Sequence, residues 1–129
     1  MPSRSIADAR AALAAAYESA ITVAALDWQV RTYGARAGDG QQKAVTIELQ
    51  WAARNDDPFR AVFTVRIIAD GSAAPELGEA NLDPAMDLCD AAMPSDVNWG
   101  GWGASRYDED SQQWVVEGTA RAARDWPPT

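Results

Sequence analysis

Val45-Thr46-Ile47-Glu48-Leu49-Gln50-Trp51 and, beyond Asn55-Asp56-Asp57-Pro58, Phe59-Arg60-Ala61-Val62-Phe63-Thr64-Val65-Arg66-Ile67 decide the fold. In the first run Val45, Ile47, Leu49 and Trp51 alternate with Thr46, Glu48 and Gln50. In the second, Phe59, Ala61, Phe63, Val65 and Ile67 alternate with Arg60, Thr64 and Arg66. A strand puts alternate residues on one face, whereas a helix would scatter them around its circumference. Two such runs with an Asn/Asp/Pro turn between them predict an antiparallel hairpin with one face toward a core. Val62 and Ile68 interrupt the polar face of the second run and are open to cover by another chain.

Working outward toward the N-terminus, Gly34–Gly40 reads as a loop and Leu26–Tyr33 as a short strand, in which Leu26, Trp28 and Val30 alternate with polar residues. Residues 5–26 predict an amphipathic helix. Ile6, Ala9, Leu13, Tyr17, Ala20 and Ala24 recur at helical spacing, and Ser5 with Asp8 forms a capping pair. Charges at Asp8, Arg10 and Glu18 interrupt this Ala-rich stretch, which is therefore read as mature structure and not as a signal peptide.

Toward the C-terminus, Asp70–Asn81 is expected to be a long loop. A second helix is expected to start with Asp83 as N-cap and Pro84 in its first turn, and to end at Pro94. Its apolar face is Leu82, Ala85, Met86, Cys89 and Met93. Val97–Tyr107 and Gln112–Arg124 predict a closing hairpin around Asp108-Glu109-Asp110-Ser111, followed by a short tail. The expected fold is a single α+β domain over residues 1–129, in the order α-β-β-β-α-β-β. Two helices pack on a mainly antiparallel sheet of about four to five strands.

Composition narrows the chemistry. A chain of 129 residues with 47% apolar content suits one domain that folds without disulfide or metal. The net charge of -8 argues against nucleic-acid binding, and no apolar run is long enough to span a membrane. The chain has no histidine, which removes histidine-based triads and histidine-ligated metals. The lone Cys89 falls on an apolar helix face, where a thiol acts as a small hydrophobe. The carboxylate pairs Asp56/Asp57, Asp83/Asp87 and Asp108/Asp110 all sit where turns and caps favour aspartate, so no catalytic residue, metal ligand or cofactor site is assigned.

Trp99-Gly100-Gly101-Trp102-Gly103 is the least ordinary segment. Glycines in a strand mark a bulge, a bend or a close approach of another backbone. The tryptophans stand as core anchors or interface anchors, and six in a chain this short exceed the obvious need of its core.

The order of elements, the strand Arg60-Ala61-Val62-Phe63-Thr64-Val65-Arg66-Ile67, and Arg106-Tyr107-Asp108-Glu109-Asp110 with Trp114 beyond it resemble the tail terminator (tail completion) proteins of long-tailed phages. The resemblance is to the lambda tail protein U type and spans nearly the whole chain. It implies a non-enzymatic virion protein, assembled in the host cytoplasm, that forms a six-membered ring at the head-proximal end of the tail. The ring stops tube polymerisation and gives the surface for head joining. The implied partners are other copies of the chain, the tail tube protein and the head–tail connector. Interface residues are expected at Arg60, Arg66, Trp99, Trp102, Arg106, Asp108 and Asp110. Two other readings stay open: another neck or tail component (head-closure or tube-like), or a small-ligand-binding α+β domain with tryptophans around an apolar cavity.

Overall fold

The computed structural model describes residues 6–32, 43–51, 60–95 and 97–123. The predicted loop Gly34–Gly40, the turn Asn55–Pro58, the cap at Ser5 and the C-terminal tail lie outside the described residues. Within them the chain runs α1 (Ile6–Val23), β1 (Gln29–Arg31), β2 (Val45–Trp51), β3 (Arg60–Asp70), α2 (Pro75–Ala92), β4 (Val97–Trp102), β5 (Arg106–Asp108) and β6 (Gln113–Ala123). The α+β class and its order of elements are as expected. The sheet has six strands in the order β1-β2-β3-β6-β4, with β5 also paired to β6.

The alternation in β2 and β3 is that of a half-covered hairpin. The strands pair antiparallel with Ile47 opposite Ile67 and Leu49 opposite Val65. Val45, Ile47, Leu49, Phe63, Val65 and Ile67 are all fully buried. Ala9, Leu13 and Tyr17 of α1 and Leu82, Ala85 and Cys89 of α2 join the same cluster, so both helices cover one face of the sheet. Burying each large side chain of this kind contributes about 1.5–3 kcal/mol, which is what holds the layers together. Val62, expected on the polar face and open to another chain, is already buried within this one.

Three of the expected elements differ in the structure. The predicted strand Leu26–Tyr33 is reduced to Gln29–Arg31, and it runs parallel to β2. Parallel pairing needs a crossover of about a dozen residues or more, and residues 32–44 supply the length. Helix α2 begins at Pro75, so most of the expected loop Asp70–Asn81 is helix and Pro84 lies inside it. Pro75 takes the first helical position, where its missing N–H costs nothing. The first arm of the last hairpin is two strands, β4 and β5, with a break at residues 103–105, and both pair with β6.

Close approach explains two of the glycines. In α2, a Cβ on Gly78 would lie 2.9 Å from the Asp70 carbonyl and 2.9 Å from the Trp114 ring. In β6, a Cβ on Gly118 would meet the Trp99 ring and lie 2.6 Å from the Gly101 carbonyl. Glycine therefore lets α2 lie against β3 and lets β4 close over β6.

Candidate functional site

The register of the sheet brings charges into one row on the face turned away from the helices. Arg31 of β1 pairs with Glu48 of β2, Glu48 with Arg66 of β3, and Arg66 with Glu117 of β6. Signs alternate across four strands, the favourable arrangement for cross-strand neighbours. Arg66 binds Glu117 closely: its Nε donates to Oε1 at 3.1 Å and its Nη2 lies 3.0 Å from the same oxygen. Nη1 of Arg66 reaches Glu48 Oε1 at 3.9 Å. Arg106 of β5 comes to Glu117 Oε1 at 3.5 Å.

Exposure rises along this cluster. The side chain of Glu48 is 2% exposed, Arg66 29%, Glu117 35% and Arg106 68%. The Glu48 end is therefore structural, because a buried carboxylate needs partners to stay in place. The Arg106 end faces solvent with a planar guanidinium suited to pairing carboxylates. Two of the expected interface arginines, Arg66 and Arg106, thus meet through Glu117, which was not among the candidates. Arg60 opens β3 opposite Ala123, and its side chain lies outside the described residues.

Trp99, Trp102 and Trp114 belong to the other face. Trp99 pairs with Ala120 and Trp102 with Gly118, so β4 spends three steps where β6 spends two. This is a bulge, and Gly101 carries it at φ +86°. The extra residue puts both indoles on the helix side, where their rings meet edge to face with centroids 4.7 Å apart. The Trp102 N–H donates to Asp90 Oδ1 of α2 at 3.0 Å. Trp114 packs against Tyr107 and donates to the Pro75 carbonyl at 2.8 Å, tying β6 to the start of α2. Trp99 and Trp102 are half-buried and pack against the core, leaving part of each ring exposed.

Asp108 and Asp110 sit at the β5–β6 turn. Asp108 Oδ1 accepts from the Asp110 N–H at 3.0 Å and from the Ser111 N–H at 3.5 Å, the geometry for which aspartate is favoured there. Among the described residues no group of three or more His, Cys, Asp or Glu is arranged to hold a metal. Cys89 is buried, and burial, followed by the nearby Asp90 charge, pushes its thiol up to about 12. A thiol so disposed is a poor nucleophile at neutral pH.

A third feature escaped the sequence reading. Between the end of α1 and the outer side of α2 lies an open apolar groove of about 660 Å³. Ala20 and Ala24 line it from the end of α1, Leu88 and Ala91 from α2, and Leu26 and Trp28 from the segment that follows α1. Its signal in the sequence is a second apolar stripe on α2: Leu77, Pro84, Leu88 and Ala91 recur at helical spacing beside the buried stripe. Only Leu77 of that stripe lies in the segment expected to be a loop; the other three lie within the expected helix. No protein-family model matches the chain, and no curated protein matches it.

Proposed function

We propose that this protein is a structural component of a long-tailed phage virion, a tail terminator. Its copies close into a ring on the finished tail tube, end polymerisation, and present the surface that the head–tail connector meets. In this reading it is not an enzyme. Its partners are its own copies, hexameric as the resemblance implies, the tube protein and the connector, at the head-proximal end of the tail.

The observation that carries the reading is the architecture itself: the order α-β-β-β-α-β-β-β, the last hairpin's first arm being split in two, with both helices on one face of the sheet. That leaves a charged sheet face on which Arg106 is the most exposed member of an ion cluster. A head-to-tail interface between copies closes into a ring when its rotation closes, and an exposed guanidinium near the β5–β6 turn suits such a contact. The net charge of -8 suits a ring that must pass DNA without gripping it.

The test is to add the protein to capsids and tails from a phage lacking its own terminator. Infectious particles and tail length are then scored by electron microscopy. Tails of defined length that join heads only in its presence are the expected result. Arg106→Glu should lower the particle yield with at most a small drop in the thermal midpoint, since Arg106 is largely exposed and its pairing with Glu117 is a surface one. Tails that are uniform and joined without the protein would remove the reading. Its location along the tube or within the head vertex would assign it instead to another tail or neck component.

A further inference from the structure

We infer that the groove between α1 and α2 docks an amphipathic helix of a partner protein, with aliphatic anchors on one side and Lys or Arg beside them. The inference does not depend on the tail reading. Apolar side chains line the groove, yet it stays open to solvent among the described residues. Both sides are built largely of alanine, at Ala20, Ala24, Ala91 and Ala92, with Leu88 beside them on α2. Small side chains on two neighbouring helices let a third helix approach closely and seat its larger residues between them. Leu77, on the same stripe of α2 one turn before Asn81, is 58% exposed and extends the apolar track along the helix.

Charge selects the occupant. Glu76, Asp83, Asp87 and Asp90 form a carboxylate stripe along α2 next to the apolar one, and α2 contains no Lys or Arg. Asp87 itself lines the groove. Asp27 is exposed between the lining residues Leu26 and Trp28, and among the described residues it pairs with Lys43 at 2.8 Å. An anionic or neutral helix would bring like charge, or none, against this rim. A basic one gains attraction from Asp87 in the groove and from the neighbouring carboxylates of α2.

The probe is a fluorescein-labelled synthetic helix with leucines on one face and lysines flanking them, together with a twin carrying glutamates in place of the lysines. Anisotropy titration against the intact chain should show saturable binding of the Leu/Lys helix and none of the twin. Ala91→Arg, which fills the groove at an exposed position, and Asp87→Lys, which reverses its rim, should each weaken binding by about tenfold or more. Arg121→Ala, on the opposite face of the sheet, should leave it unchanged. Far-ultraviolet circular dichroism of each variant establishes that it is folded. Absence of saturable binding, equal binding of the twin, or indifference to both groove substitutions would overturn the inference. Such a result would leave the tail reading untouched, because the complementation assay reads tail length and joining.

Discussion

Among the described residues, Ala25 has a backbone that works against its side chain at a helix end. Helix α1 closes with the Leu26 N–H donating to the Ile21 carbonyl at 3.2 Å and the Ala25 N–H to the Thr22 carbonyl at 3.1 Å. This pair of bonds is the Schellman arrangement, and it requires the residue between to be left-handed; Ala25 has φ 56°. A β-carbon in that region costs about 1–2 kcal/mol, and part of this is returned if glycine's extra freedom in the unfolded chain is counted. Ala25→Gly should therefore stabilise the protein by about 0.5–1 kcal/mol. A urea midpoint at or below that of the parent chain would show that the helix end is not held as described. Gly118 poses the opposite case. Its missing side chain is what leaves room for the Trp99 ring, so its role comes from packing and not from a turn.

At the scale of elements, Pro84 separates what was legible in the sequence from what was not. A proline in a helix normally loses a bond to the carbonyl four residues back. Here that carbonyl belongs to Ala80, on an exposed part of α2, where water can satisfy it. The helix runs on through Pro84 for that reason, and a proline that looked like a start signal lies in its interior. Pro84→Ala should restore the bond and raise stability by about 1–3 kcal/mol, the gain reduced by the looser unfolded chain. Chemical denaturation at a single pH measures this, and a loss of stability would mean that Pro84 packs more favourably than the bond it forfeits. The β2–β3 hairpin was readable because burial of one face forces alternation on the sequence itself. The row Arg31–Glu48–Arg66–Glu117 was not, although every member was visible as a polar residue in a strand. Which charges meet depends on register and on which strands are neighbours, and the pairing of β3 with β6 joins residues far apart in the chain. The same holds for the tryptophans: Trp99 and Trp102 share a face only because Gly101 introduces a bulge between them.

For the molecule as a whole, the seam between the helices makes stability depend on alkaline pH. Tyr17 of α1 and Cys89 of α2 are both fully buried there, and the Tyr17 hydroxyl donates to the Met93 sulfur at 3.7 Å. Burial is the largest cause that raises the pKa of each. The Cys89 thiol adds to the rise for Tyr17, and Asp90 adds to both. Cys89 moves from an ordinary value of 9.0 to about 12, and Tyr17 moves upward from 10.0. Between the unfolded and folded values the native state holds protons that the unfolded chain has released, so stability falls as pH rises. The contribution is fully present below the unfolded value of 9.0 for Cys89 and is lost progressively as pH climbs toward about 12. Few other groups confuse the window, since Lys43 is the only lysine and the chain has three tyrosines in all. The denaturation midpoint should therefore drop between pH of about 8 and about 10.5. Cys89→Ala should flatten the early part of that slope, and Tyr17→Phe the later part. A midpoint constant over that interval in the parent chain would mean that water reaches both groups, and that the two helices do not close the seam they are placed to close.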